Sequence, residues 1–314
     1  MPPSPSLLER AVDALFRSTP WRGAIRAVSV TTELDPPARA AETGPPPPEL
    51  NYDRKPIPAK IVEQIDHSRF REIQLQFPPR DERAWGYPSR ASYRTPKSSA
   101  PPWPGVLVLP LYYDKRNLIG RRFAEYLAAR GYATFQFRSR RRFLEGVRLN
   151  ETGSGPGAVD IAREMILDAR RAADWLGDQP EIDGRRLAVV GTSHGAMIGV
   201  CAMGVDSRFQ AGAFILAGGN LPKILITSVE RGLRSFRQRL MKANGIATLE
   251  ELARRHAAET ESIEPVRYAR RIDPRNVFLV KSTRDRGIIP QAQDELWEAL
   301  GRHRRFIVQL WQVT

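Results

Sequence analysis

From Phe70 onward, short apolar runs alternate with longer stretches that carry helical periodicity. Residues 105–111, GVLVLPL, form a continuous apolar run of the kind found in strands that are buried on both faces of a parallel sheet. The following segment, NLIGRRFAEYLAARG, places Ile119, Phe123 and Leu127 on one face of a helix. Because strands that alternate with helices are joined by right-handed crossovers, the pattern predicts an α/β fold. We expect a doubly wound, mostly parallel sheet with helices on both faces.

The same alternation continues to the end of the chain. Further strands are predicted at REIQLQF (71–77), within AWGYPSRASYRTP (84–96), and at YATFQF (132–137), RLAVV (186–190), AGAFILAG (211–218), NVFLVKS (276–282) and RFIVQLW (305–311). Further helices are predicted over 161–176 and over QAQDELWEALG (291–301). A mostly helical insertion from 221 to about 271 separates two of these strands.

Residues 1–65 differ from the rest of the chain. Residues 7–17 fit a short amphipathic helix, and residues 35–50, DPPARAAETGPPPPEL, contain a run of prolines that lack backbone donors and favour an extended conformation. We therefore expect an irregular N-terminal extension over 1–65 that packs weakly against an α/β domain over 66–314. A proline-rich ligand for a partner domain is the alternative interpretation of this arm.

The net charge of +14 raises the question of a nucleic-acid partner. The arginines are spread along the chain, and the densest cluster, FRSRRRF (137–143), has no aromatic stacking motif or known nucleic-acid module beside it. We interpret the charge as a solvated basic face and expect no nucleic-acid partner. The sequence carries no indication of an oligomeric state.

The cysteine content and the apolar segments indicate which cofactors and which cellular location to expect. Cys201 is the one cysteine, so no intramolecular disulfide can form, and without a Cys/His cluster at ligand spacing we expect no metal or other cofactor. The N-terminus lacks the basic run and apolar core of a signal peptide. The longest apolar stretch, 185–204, contains Thr, Ser, His and Gly, so we expect no membrane span. These features favour a cytoplasmic protein.

Residues 191–195, GTSHG, lie between the predicted strand at 186–190 and a run of small apolar residues that can form a helix. A strand that turns sharply into a helix can force the residue at the turn into a strained conformation. Glycine two positions before and two after that residue removes the Cβ atoms that would clash. Ser193 would then hold its hydroxyl at the helix N-terminus, where the helix dipole favours developing negative charge. The segment predicts a nucleophile elbow, and the alternative is a glycine-rich loop with an incidental serine.

With this motif, the chain from about Phe70 to its C-terminus resembles the α/β-hydrolase superfamily, and within it the dienelactone-hydrolase and acyl-esterase-like branch. Three further segments carry the resemblance: PGVLVLPL, DARRAADWLGDQPEIDGRRLAVVGTSHG and RNVFLVKSTRDRGIIP. The resemblance implies an α/β-hydrolase fold with a helical lid over about 220–271. It also implies an enzyme in which a serine attacks an acyl carbon, a histidine takes its proton and a carboxylate orients the histidine. A small-molecule ester or related acyl compound is then the expected substrate.

By the same resemblance, Ser193 matches the nucleophile and Asp285, after the predicted strand NVFLVKS, matches the acid. The backbone N–H of His194 matches one oxyanion donor, and that of Leu111 or Tyr112 matches the other. Asp285 stands at the C-terminal end of its strand, where open parallel sheets build their sites. The alternative is that this aspartate only stabilises a turn or caps a helix.

The resemblance places the catalytic histidine after the last strand, RFIVQLW, but the sequence continues only with QVT. His303 precedes that strand, so six residues at roughly 3.3 Å each would hold it about 20 Å from the catalytic edge. His194 cannot fold back onto its neighbour's hydroxyl, and His67 belongs to the segment before the core. His256, on the helical insertion, is a candidate base that could approach Ser193, but its charged neighbours favour a solvent-exposed histidine. We therefore expect a chain that has lost its last loop rather than one with a relocated base.

Two functions therefore stay open from the sequence. One is a serine hydrolase for carboxylic esters whose triad is incomplete or altered at the C-terminus. The other is a catalytically inactive α/β-hydrolase-fold protein that keeps the pocket for binding. An interaction protein that uses the proline-rich arm and the basic surface is a third interpretation.

Overall fold

The computed structural model describes residues 25–31, 44–78, 89–110, 118–137, 157–301 and 305–310, with 25–31, 89 and 305–310 described by their backbone alone. The helix expected over 7–17 lies outside these residues. So do the oxyanion candidates Leu111 and Tyr112, and so does His303. Of the proline-rich segment 35–50, residues 44–50 are described.

Ten strands of the described chain form one sheet. In chain order they are β1 (Ile25–Thr31), β2 (Lys60–Asp66), β3 (Phe70–Phe77), β4 (Ser89–Pro96), β5 (Trp103–Leu109), β6 (Ala133–Phe137), β7 (Ile182–Thr192), β8 (Phe209–Ile215), β9 (Val277–Ser282) and β10 (Arg305–Leu310). Across the sheet the order is β1-β10-β9-β8-β7-β5-β6-β4-β3-β2. The central strands, β6, β5, β7, β8, β9 and β10, pair in parallel, whereas β4, β3 and β2 on one side and β1 on the other pair antiparallel. The expected mostly parallel sheet is confirmed.

Helices cover both faces of this sheet. Those within the described residues are α1 (Leu118–Ala128), α2 (Ala158–Gly177), α3 (His194–Val205), α4 (Leu221–Thr227), α5 (Arg231–Asn244), α6 (Leu249–Thr260), α7 (Pro265–Ala269) and α8 (Pro290–Ala299). On one face, Phe123 of α1 packs in a cluster with Val106 of β5. On the other face, the larger core contains Ile166 of α2, Val200 of α3 and Leu296 of α8. None of the described helices is long and apolar enough to cross a bilayer.

The periodicity of α2 explains which of its faces is buried. The sequence pattern places Ile161, Met165, Ala169, Ala172 and Leu176 on one face. Of these five residues Met165 is half-buried against the core and the other four are buried. At its start, the N–H of Gly157 donates to Oδ2 of Asp160 at 3.1 Å, which satisfies one of the backbone donors that a helix start leaves unpaired. Burial of the apolar face against the sheet thus sets the orientation of this helix.

The connections of β5 create a crevice at the centre of the sheet. From β5 the chain passes to β6 on one side and then crosses to β7 on the other side. The three strands are parallel, so the carboxyl ends of β5 and β7 meet at the same edge. Ligands of open α/β sheets bind where the strand order reverses in this way. Ser193 follows β7 directly and therefore lies at this edge.

Parts of the N-terminal segment belong to the folded domain. The expected boundary at residue 65 falls inside β2, which pairs with β3, and β1 pairs with β10 at the opposite edge of the sheet. Leu50 is fully buried, and its carbonyl oxygen accepts a hydrogen bond from Arg170 of α2. The hydroxyl of Tyr52 donates to Asp174 of the same helix at 2.6 Å. The expected weak packing is therefore wrong for Leu50 and Tyr52, because α2 binds both through buried groups.

A buried ionic cluster lies beside this contact. Asp174 of α2 and Asp206, after α3, are both buried and share the guanidinium of Arg208. Arg208 donates to the two oxygens of Asp206 at 2.8 Å and 2.6 Å. Burial raises the pKa of Asp206, but the hydrogen bonds and charge of Arg208 more than offset this effect, so the pKa lies below its ordinary value. Arg54 lies 3.4 Å from Asp174 and Arg170 lies 3.3 Å from Asp206. The carboxylates are tolerated in the interior because these three guanidinium groups compensate for their lost hydration.

Candidate active site

The turn from β7 into α3 consists of Ser193. β7 ends at Thr192 and α3 begins at His194. The backbone of Ser193 has φ 53° and ψ −121°, a combination that residues with a side chain rarely adopt. Strain of this kind persists only where the surrounding structure enforces it, and it is concentrated at functional sites.

The glycines that flank Ser193 leave no room for a side chain. A Cβ atom at Gly191 would lie 2.3 Å from the carbonyl oxygen of Gly195, and a Cβ atom at Gly195 would lie 2.5 Å from the carbonyl oxygen of Pro110. Both contacts involve backbone atoms, so they could be relieved only by moving the turn or the end of β5. These distances agree with the sequence prediction that Cβ atoms at the two flanking positions would clash.

Backbone hydrogen bonds join the turn at Ser193 to β8 and to α3. The N–H of Ser193 donates to the carbonyl oxygen of Ile215 on β8 at 2.7 Å. The carbonyl oxygen of Ser193 accepts from the N–H groups of Ala196 and Met197 at 2.9 Å and 3.1 Å. The Ser193 side chain is half-buried, and its Oγ makes no hydrogen bond to any described residue. The strained backbone is thus fixed by its neighbours, while the hydroxyl lies at the start of α3.

His194 is the first residue of α3, so its backbone N–H lies at the positive end of the helix dipole. This position suits the stabilisation of an oxyanion. Burial lowers the pKa of the imidazole to about 4, so the ring is neutral at pH 7. The second expected donor, at Leu111 or Tyr112, lies outside the described residues.

Asp285 follows β9, at the same edge of the sheet as Ser193. β8 lies between β7 and β9, so two inter-strand spacings, about 10 Å, separate the backbones of the two strands. Oδ1 of Asp285 accepts hydrogen bonds from the N–H groups of Gly287 at 2.8 Å and Ile288 at 3.0 Å, whereas Oδ2 has no partner in the described part of the chain. Burial raises the pKa of this carboxyl, and the two backbone hydrogen bonds oppose the increase. Asp285 therefore stabilises its own turn with one oxygen and does not cap α8, which begins at Pro290.

A buried glutamine on α8 holds the turn that carries Asp285. Oε1 of Gln293 accepts from the N–H of Ser282 at 2.9 Å, and its Nε2 donates to the carbonyl oxygens of Ile288 at 2.7 Å and Ser282 at 3.3 Å. Gln293 is fully buried. Its hydrogen bonds join the two ends of the turn, so it fixes the direction in which the chain leaves β9. Sequence reasoning missed Gln293, because a single polar residue in a helix carries no signal of its partners.

The helical insertion is attached to the same turn. The carbonyl oxygen of Arg286 accepts from the N–H groups of Val229 at 3.1 Å and Glu230 at 3.2 Å, and from the hydroxyl of Ser228 at 3.0 Å. These three residues connect α4 to α5. The insertion leaves the sheet after β8, at the edge that carries Ser193. The lid expected over 220–271 stays a prediction, and its α4–α5 junction adjoins the Asp285 turn.

No histidine of the described chain hydrogen-bonds to Oγ of Ser193. His256 lies on α6 and its side chain is 14% exposed, so the expectation of a solvent-exposed histidine is wrong. The reason is that α6 packs on α4 through an apolar cluster that includes Leu252. Nδ1 of His256 is buried without a hydrogen bond, 3.8 Å from Glu259, and burial lowers the pKa of the ring. His67 lies in the turn between β2 and β3, at the edge where the parallel strands begin and thus opposite Ser193.

The edge beyond β7 and β9 combines a hydroxyl at a helix N-terminus with a carboxylate two strands away. A hydroxyl in such a position can attack an acyl carbon once a base accepts its proton, and N–H groups at the helix start can stabilise the resulting oxyanion. Within the described ranges, no group of three or more His, Cys, Asp or Glu side chains is arranged to hold a metal ion.

Neither a protein-family model nor a curated protein sequence gives a significant match to the chain. Among solved structures, an acetyl xylan esterase from Paenibacillus sp. R4 matches with a TM-score of 0.61 and 16% identity, covering 84% of each chain. Acetyl xylan esterase 1 from Thermoanaerobacterium sp. JW/SL YS485 matches with a TM-score of 0.58 and 16% identity, over 87% of this chain and 90% of that chain. A glucuronoyl esterase from Solibacter usitatus matches with a TM-score of 0.51 and 13% identity, over 83% of this chain and 74% of that chain.

These similarities cover most of each chain. At identities of 13% and 16% they concern the fold, since one fold can host many activities. The strand order, the crossover between β5 and β7, and the strand–turn–helix at Ser193 are features of the described chain itself. The chain has the α/β-hydrolase fold.

Proposed function

We propose that this protein is a serine hydrolase that cleaves carboxylic esters through Ser193. The observation that carries the proposal is the backbone of Ser193, held at φ 53° and ψ −121° between Gly191 and Gly195. A glycine-rich loop with an incidental serine would not need a serine here, because glycine adopts this conformation at lower cost. Ser193 places a hydroxyl at a strained position, at the edge where the strand order reverses. This combination favours a chemical role for the hydroxyl.

In the proposed reaction, Oγ of Ser193 attacks the acyl carbon of the ester and its proton passes to a base. The bond between the acyl carbon and the alcohol oxygen breaks, and the alcohol leaves with that proton. Water then hydrolyses the acyl-serine and releases the acid. The N–H of His194, together with that of Leu111 or Tyr112, stabilises the oxyanion, and Asp285 orients the base through Oδ2.

The proposed substrates are small esters. The acetyl xylan esterases that share the fold make acetyl esters the first compounds to test. Because the insertion adjoins the Asp285 turn, we expect its side chains to limit the size of the acyl group. This proposal is independent of the identity of the base.

A fluorophosphonate tests the proposal, because it bonds covalently to an activated serine and the labelled peptide can be found by mass spectrometry. We expect labelling of Ser193 in the wild-type protein and none in Ser193→Ala. Ser207→Ala, at an exposed serine after α3, is the matched control and should be labelled as the wild type is. Hydrolysis of p-nitrophenyl acetate should follow the same pattern. Equal labelling of wild type and Ser193→Ala would contradict the proposal and favour the binding protein.

His256→Ala tests the one base candidate on the insertion. A general base contributes about 10²–10⁴ to the rate, so a loss of this size in kcat, with the fold retained, would assign the base to His256. An unchanged kcat would remove His256 from the triad without affecting the assignment of Ser193.

A further inference from the structure

A groove of about 840 Å³ lies at the edge of the sheet where the parallel strands begin, opposite the edge that carries Ser193. We name it the basal groove. Its lining includes Ser99, Trp103, Tyr126, Arg130, Tyr132 and Arg186. The volume falls within the range of small-molecule sites, which is about 300–1,000 Å³.

Arg130 stands on one side of the basal groove, just after α1. Its guanidinium carbon lies 3.5 Å from the centre of the Tyr126 ring, and its Nη1 donates to the carbonyl oxygen of Tyr126 at 3.2 Å. No carboxylate of the described chain pairs with it. Arg130 is therefore a cation held in place by a ring and a carbonyl group, with N–H donors left for a ligand.

Arg186 of β7 stands on another side of the same groove. Its Nε donates to Asp183 at 2.7 Å and its Nη2 donates to the carbonyl oxygen of Pro102 at 3.0 Å. Asp183 also pairs with Arg185, so one carboxylate serves two guanidiniums. Among the described residues, the lining of the groove contains Arg130 and Arg186 and no carboxylate. An anion is thus the ligand that complements its charge.

Aromatic rings supply the rest of the binding surface. Trp103, Tyr126 and Tyr132 line the groove and are half-buried. The indole N–H of Trp103 donates to the carbonyl oxygen of Ser99 at 3.0 Å, which fixes the orientation of this ring. Flat apolar surfaces beside guanidinium groups favour a planar ligand that carries a carboxylate, because arginine binds carboxylates with two parallel hydrogen bonds.

We propose that the basal groove binds a small aromatic carboxylate. Its ring packs against Trp103 and Tyr132, and its carboxylate pairs with Arg130 and with the spare donors of Arg186. The groove and Ser193 lie at opposite edges of the sheet, so this binding does not depend on the proposed hydrolase function.

Isothermal titration calorimetry with 2-naphthoate at low ionic strength tests the proposal. The uncharged 2-naphthamide has nearly the same shape and serves as the comparison ligand. Arg130→Gln is the test variant, and Arg90→Gln is the matched control, because Arg90 is exposed on β4 and does not line the groove. Melting temperatures verify that both variants fold.

We expect 2-naphthoate to bind the wild-type protein and Arg90→Gln equally. Loss of a charge-assisted hydrogen bond should weaken binding to Arg130→Gln by about tenfold or more, and 2-naphthamide should show a similar loss with the wild type. Arg130→Lys should keep part of the affinity, and Ser193→Ala should keep all of it. Absence of binding to the wild type, equal affinities for Arg130→Gln and Arg90→Gln, or equal affinities for the two ligands would overturn the proposal.

Discussion

Replacing Ser193 with glycine should stabilise the protein while removing its hydroxyl. At φ 53° and ψ −121° the serine carries a Cβ atom in a region of backbone space that glycine enters freely. This conformation is held by backbone hydrogen bonds, one from Ser193 to Ile215 and two from Ala196 and Met197 to Ser193, which do not involve the Ser193 side chain. Removing the side chain therefore releases strain without removing the bonds that shape the turn.

The size of the effect follows from opposing contributions. Relief of a strained non-glycine conformation contributes about 1–3 kcal/mol. The greater freedom of glycine in the unfolded chain costs about 0.5–1 kcal/mol. Ser193 is half-buried and its Oγ makes no hydrogen bond to a described residue, so few contacts are lost. We expect a net stabilisation of about 1 kcal/mol.

The assay is thermal unfolding followed by circular dichroism, with Ser193→Ala as the matched control. Alanine also removes the hydroxyl, but it retains the Cβ atom and hence the strain. With an unfolding entropy of about 2.1 cal/mol/K per residue, 1 kcal/mol corresponds to about 1.5 °C for a chain of 314 residues. Ser193→Gly should melt higher than Ser193→Ala by about this amount, and both should lose fluorophosphonate labelling. A glycine variant that melts no higher than the alanine variant would refute the strain argument.

Three further changes test other parts of the structure. Gly195→Ala should abolish labelling and lower the melting temperature, because its Cβ would lie 2.5 Å from a backbone oxygen at the end of β5; unchanged labelling would contradict this. Gln293→Ala should lower kcat for p-nitrophenyl acetate and shift the pH profile of kcat, because the turn that carries Asp285 loses the hydrogen bonds that join its ends. If Gln293 had only a structural role, its replacement would change the melting temperature alone. Arg208→Met should destabilise the protein by about 2 kcal/mol at pH 7 in urea unfolding, since it removes the nearest cation of two buried carboxylates and leaves them only the longer contacts to Arg54 and Arg170. The pKa of Asp206 is lowered in the folded state, so its ion pair stabilises the fold at pH values above the unfolded pKa of about 3.9. This stabilisation is lost as the pH falls through the folded pKa. The difference in unfolding free energy between wild type and Arg208→Met should therefore shrink in acid.

Local sequence alone determined the parallel core and the turn at Ser193. The apolar runs at 105–111 and 186–190 overlap β5 and β7, because strands buried on both faces need apolar side chains at every position. The clash that a Cβ at Gly191 would cause involves Gly195, four residues away. Both partners therefore lie in one short motif, and the motif predicts the strained turn. The position of Asp285 at the same edge follows from the parallel order of the strands.

Only the tertiary structure decided the features that join distant segments. β2 is exposed along nearly its whole length and so lacks the alternation of apolar and polar residues that indicates a half-buried strand. β1 pairs with β10, which lies at the other end of the chain. Leu50 is buried because α2 covers it, and His256 is shielded because α6 packs on α4. The hydrogen bonds of Gln293 and the lining of the basal groove arise in the same way. The apolar pattern of one segment reports which of its faces is buried, but it carries no information about which distant segment will cover that face.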